Sequence, residues 1–304
     1  MPLKLELKIA LGDVSGRIDH LAVDVTRQRL YLAELGANSV GVVDLKEGKL
    51  LRTLPGFREP QGIAYEPLTD TVYVTNAADG SARLLHGEDL TSAGVIELGE
   101  DADNIRVDSS SHRVLVGFGN GAIGVIDPGR RQKIAAIPLQ AHPEGFQVEP
   151  QGGRVFVNVP DARQIAVLDP VTSTQTSVWA TNKLRANFPL AIDAQRGQVL
   201  SVFRNPARLA AFNLRDGKMT QAVEACEDSD DLFVDTKRSL IYVSCGQGFL
   251  DVFAARADGL ARVAHLATAA GARTSLWVPQ LDRLFVALRA AKDPAAVWVF
   301  RPVD

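Results

Sequence analysis

Apolar residues in this chain come in short runs broken by turn residues, and every run reads as a β-strand. One phrase built from such runs occurs seven times: a strand ending in an acid or its stand-in, a turn of five or six residues, and a second strand. In the first copy Leu21-Ala22-Val23-Asp24 is strand A and Thr26-Arg27-Gln28 turns the chain. Leu30-Tyr31-Leu32-Ala33, rich in residues that suit a pleated surface, is strand B, Val40 to Val43 is strand C and Leu50 to Leu54 is strand D. The phrase-ending residues are Asp24, Glu66, Asp108, Glu149, Asp193, Asp235 and Pro279, at spacings of 42, 42, 41, 44, 42 and 44. A period of that length with four antiparallel strands per repeat predicts an all-β, seven-bladed β-propeller that takes residues 1–304 as a single domain.

The seventh copy runs out after its third strand, Val297-Trp298-Val299-Phe300, while a surplus strand over residues 5–11 precedes the first copy. Placing that N-terminal strand as strand D of blade 7 closes the ring and removes an open sheet edge.

The B strand Tyr73-Val74-Thr75-Asn76 spells the motif of the YVTN-repeat propellers, and the chain resembles that family over its whole length. No Trp-Asp pair ends a strand, so the likeness to WD40 propellers is weaker. The resemblance implies the seven-bladed fold. It also implies two functional settings: binding proteins of the cell envelope, and lactonase-like enzymes akin to sugar-lactone hydrolases and muconate-lactonising propellers. A fold hosts many chemistries, so the site has to be read from residues.

Composition narrows the field. The net charge is −3 with no basic block, and aromatics are 6% of the chain, which argues against nucleic acid as partner. No apolar run of about 18 residues is present, so no membrane span is expected. The N-terminus carries no charged-then-apolar leader, which reads as cytoplasmic, or periplasmic if an export signal has been removed. No nucleophile-elbow serine, HExxH helix or phosphate loop occurs. Gly117-Phe118-Gly119-Asn120-Gly121 reads as a tight B-to-C loop, so no nucleotide cofactor is expected. The two cysteines, Cys226 and Cys245, fall near one face in adjacent blades, and would pair if their Cα atoms came within about 7 Å.

That face is where the D-to-A and B-to-C loops converge on the channel mouth. The residues just before strand A differ from blade to blade, and they are polar. One parity of strand A is apolar (Leu21 and Val23, Ile105 and Val107), while the other, carrying His20, Asn104, Arg106, Gln147, Asp231 and Ser275, is expected to line the channel. One reading is a divalent ion, Ca²⁺, Mg²⁺, Mn²⁺ or Zn²⁺, held by Asp19, Asp103, Glu144, Asn187 and Asp231. A second is metal-free acid–base chemistry by His20, His142, Glu144 and Arg106. There Arg17, Arg58, Arg204 and Arg273, with Asn104, would hold an anionic group. The plainer account is that the acids cap turns and the arginines are solvated rim charges. The lead expectation is a lactonase-like hydrolase or lyase acting on a small carboxylated or lactone substrate. The alternative is a non-catalytic ligand- or protein-binding propeller of the cell envelope.

Overall fold

The computed structural model describes residues 1–150 and 153–303. Its strands form seven four-stranded antiparallel sheets in a ring, and each sheet follows chain order from the innermost strand outward, apart from the sheet that closes the ring. In that sheet Leu3–Ala10 pairs antiparallel with Ala296–Pro302, so the N-terminal strand is the outer strand of blade 7, as the surplus strand predicts. It begins two residues earlier than the hydrophobic run, because Leu3 and Lys4 still find partners in Pro302 and Arg301. Among the described residues no helix is long and apolar enough to cross a membrane.

The core is divided into seven slabs, one between each pair of neighbouring blades. Strand B supplies the bulk at each. Tyr31, Tyr73, Leu115, Phe156, Leu200, Tyr242 and Phe285 occupy the same register, opposite Ala22, Ala64, Arg106, Gln147, Ala191, Phe233 and Leu276 of strand A, and all seven are buried. This register places Val278, not Pro279, at the phrase-ending position of blade 7. It also puts Ser275 in line with Leu21, on the parity expected to be apolar.

The repeated acids lie at the opposite end from the converging loops, and they are turn caps. Asp24, Glu66, Asp108, Asp193 and Asp235 each accept a backbone N–H two or three residues on. Several also anchor an arginine that reaches the next blade. Arg27 holds Asp24 and forks onto Asp70 at 2.8 and 2.9 Å, and Arg238 holds Asp235 and forks onto Asp282 at 2.7 Å. Capping thus accounts for the acid that ends the phrase, and the acids at the mouth need a separate account.

Candidate functional site

Two spaces at the inner edge of the blades share no lining residue. The first is a cavity of about 210 Å³ at the mouth, and the second is a channel of about 380 Å³ that runs down the innermost strands. The expected site residues divide between them. Arg17, Asp103, His142, Glu144, Arg204 and Arg273 line the mouth. His20, Arg106 and Asp231 line the channel. Position along the chain makes the division: apart from Arg204, the mouth residues come before strand A or at its start, the channel residues lie on strand A, and Asp230 falls at a bulge between Ser229 and Asp231.

The remaining expected residues lie elsewhere. Arg58 is exposed, outside both linings. Asn104 is buried behind them. Asn187 is fully buried in the wall between blades 4 and 5, where its amide donates to Asn158 Oδ1 and the Gln164 carbonyl. Asp19 is fully buried against Arg17, 2.8 Å from its Nη2. Of the five expected metal ligands, only Asp103 and Glu144 therefore reach the mouth cavity. Among the described residues no three His, Cys, Asp or Glu side chains are grouped as metal ligands.

At the mouth the arginines are already engaged. Arg204 Nη2 donates to Asp230 Oδ1 at 2.8 Å and its Nε to the Ser229 carbonyl, while its guanidinium stacks 3.6 Å from the Phe188 ring centroid. Arg273 takes Asp228 at 2.9 and 3.1 Å and lies 3.0 Å from Asp230. Arg17 lies 3.6 Å from Asp230 on its third side. Asp230 is thus the hub of three guanidinium groups, although strand alternation had singled out Asp231. Phe188 carried no polar signal, and only its neighbourhood with Arg204 reveals its role.

Two groups at the mouth keep a free face. His142 places Nδ1 2.6 Å from the Gly119 carbonyl and Nε2 3.8 Å from Asp103. The Nδ1 contact requires its proton there. Burial opposes charge on this ring, but Asp103, the Gly119 carbonyl and Asp101 outweigh it and lift its pKa to about 9. Glu144 is half-buried, lines the cavity, and makes no side-chain hydrogen bond among the described residues. Burial, with Asp103 and Asp230 nearby, pushes its carboxyl up to about 8 against the pull of His142 and Arg204. The mouth therefore presents a protonated carboxyl, an imidazolium and an ionisable acid, Asp103, around one small space.

In the channel, His20 Nδ1 lies 3.6 Å from Asp231 Oδ1, and Asp231 Oδ2 accepts the Ser275 N–H at 2.8 Å. Burial alone would lower the His20 pKa, yet Asp231, backed by Asp19 and Asp103, raises it to about 10. The cysteine question is settled by geometry. Cys226 and Cys245 form a disulfide with Cα atoms 5.9 Å apart, both buried, and it fixes the segment that carries Asp228, Asp230 and Asp231.

No family model matches the chain, and no curated protein matches it. Solved structures do. A chain of Kuenenia stuttgartiensis hydrazine synthase superposes with a TM-score of 0.82 at 15% identity, over 96% of this chain and 97% of that one. A chain from the crystal structure of a mitotic checkpoint complex superposes with a TM-score of 0.84 at 15% identity, over 99% and 92%. Two such different contexts on one ring, at this identity, speak for the propeller fold alone.

Proposed function

We propose that the mouth is the site of a lactonase-like hydrolase or lyase of YVTN-repeat kind, acting on a small lactone. The observation that carries the reading is Glu144, a carboxyl that lines a small cavity, has no protein hydrogen-bond partner among the described residues and has its pKa lifted to about 8. A carboxyl still protonated near neutrality is a general acid in waiting. In hydrolysis, a water oxygen would bond to the lactone carbonyl carbon and lose its proton to the Asp103 carboxylate. The ring C–O bond would then break, and the departing alkoxide would take its proton from Glu144. His142 would hold Asp103 in place. Because Arg17, Arg204 and Arg273 are each bound to acids, a neutral ring ester suits this mouth better than a carboxylated substrate that needs a free guanidinium.

The steps proposed above are carried by protein groups. A divalent ion, if one binds, has Asp103 and Glu144 as the expected ligands that face the cavity, and elemental analysis of purified protein tests for it. The second reading is a non-catalytic ligand- or protein-binding propeller of the cell envelope. It is favoured by the disulfide, which persists in oxidising compartments.

The deciding experiment is turnover of a lactone panel by the native chain and by Glu144→Gln. The amide keeps the shape and loses the transferable proton, so kcat is expected to fall by about 10²-fold or more with KM little changed. Lactone turnover that survives Glu144→Gln sinks the general-acid role. A panel left wholly intact by the native chain leaves the binding reading in its place.

A further inference from the structure

We infer that the channel is a second site, distinct from the mouth, which binds a small carboxylate with an apolar body through the guanidinium of Arg106. The inference stands apart from the lactonase reading, because the two spaces share no lining residue.

Arg106 breaks the repeat. Its register equivalents in the other blades are Ala22, Ala64, Gln147, Ala191, Phe233 and Leu276, none of them charged. The ring therefore closes without a cation at this position, and a guanidinium there is an addition to the repeat. Nor is it neutralised. Among the described residues its one side-chain hydrogen bond runs from Nη1 to the carbonyl of its own neighbour Ile105 at 2.7 Å, and no carboxylate lies within ion-pair distance of it. The acid that shares the channel is committed elsewhere: Asp231 takes His20 on one oxygen and the Ser275 N–H on the other. Of five guanidinium donors, one is used; the guanidinium carbon also lies 5.5 Å from the Phe146 ring centroid, a contact with the π face that leaves the other donors open.

An unpaired charge in a confined space is costly, and an anion that pairs with it recovers that cost. Burial does press on the charge of Arg106, with Asp231 and Asp103 offsetting it from a distance. Ile63, Ile105, Phe233, Leu276 and Trp277 supply the apolar part of the channel wall, and Gln147 lines it too. Beside the His20–Asp231 pair, which satisfies itself, one unpaired cation in a mixed polar and apolar channel of about 380 Å³ fits one carboxylate on a hydrocarbon or aromatic body. Polyanions would meet Asp231, and neutral apolar molecules would leave Arg106 unpaired.

Benzoate is the probe and benzamide, of the same shape without the charge, is the control. Trp277 lines the channel and reports occupancy by fluorescence. Benzoate is expected to raise Tm and to change the Trp277 signal saturably, and benzamide to do neither. Arg106→Met should weaken benzoate at least tenfold, equivalent to about 1.4 kcal/mol. Trp277→Phe should remove the fluorescence change and retain the thermal shift. Equal responses to benzoate and benzamide, or unchanged benzoate affinity in Arg106→Met, would overturn the inference. So would loss of binding in Arg273→Met but not in Arg106→Met, because the anion would then sit at the mouth. If Arg106→Met fails to fold, the contrast between the two probes at Trp277 of the native chain decides.

Discussion

Glu144 is the residue on which most of the mouth's chemistry turns, and its pKa has a consequence for stability. The folded chain holds the proton up to about pH 8. The unfolded chain releases it near 4.5. Between those values the folded state binds the extra proton, so this carboxyl makes stability fall as pH rises, with the full loss reached above pH 8. Glu144→Gln removes the titration. The variant is expected to melt with the native chain at pH 4 and above it at pH 9, by an amount on the order of 5–10 °C. Thermal scans across that range check the sign. A native chain that melts higher than the variant at pH 9 would mean that Glu144 is ionised and stabilised in the fold.

At this scale the sequence was only partly legible. Positions that break the repeat pointed to loops that converge, and six of the expected residues line the one mouth cavity. The sequence does not carry the third dimension of those loops. Whether Asn187 faces the cavity or the wall depends on Asn158 and Gln164, and these sit in the neighbouring blade. His20 and His142 part because their positions in the phrase differ: His20 stands two residues before Ala22, whereas His142 stands five before the equivalent Gln147, level with Arg17 at the mouth.

Among the elements, the strap between blades 5 and 6 is the one whose constraint is most specific. Residues 226–231 run from the end of one blade to the start of the next, and the disulfide ties them to the end of strand B, Leu240–Cys245. The closed loop has a sequence separation of 19, for which chain-entropy reasoning gives about 3 kcal/mol. Replacing both cysteines by serine is expected to lower Tm by about 5 °C and to slow turnover at the mouth, since Asp228 and Asp230 hold Arg204 and Arg273. An unchanged Tm would show that the arginine cluster alone fixes the strap. The strands themselves were legible, because a period-2 pattern repeated seven times is hard to mistake. The sequence left the pairing of the two cysteines open, because it gives only their neighbourhood in adjacent blades.

For the whole molecule, stability lies in the seven interblade slabs. Blade 7 is completed by a strand from the other end of the chain. Leu3, Ile9 and Leu11 are each 1–2% exposed, with Ile9 and Leu11 in the slab between blades 7 and 1. At about 1.5–3 kcal/mol per buried side chain their loss amounts to roughly 5–9 kcal/mol, which is of the order of a whole domain's net stability, about 5–15 kcal/mol. Deleting residues 1–11 is therefore expected to abolish the native calorimetric transition or to lower it by more than 10 °C. A truncated chain that melts like the full one would show that the N-terminal strand is not what holds the ring shut.

The same closure sets a delay during synthesis. Ala10 leaves the ribosome 286 residues before its partner Ala296, an interval of roughly 15–60 s at typical elongation rates. Through that interval the first strand is an unpaired edge, able to join another nascent chain. Its outward positions carry Lys4, Glu6 and Lys8, all exposed even in the finished ring. Alternating charges of this kind discourage edge-to-edge pairing. In the completed blade Glu6 takes Arg283 and Lys8 lies 4.1 Å from the Trp298 ring centroid; before that, the same charges protect a strand that must wait for the rest of the protein.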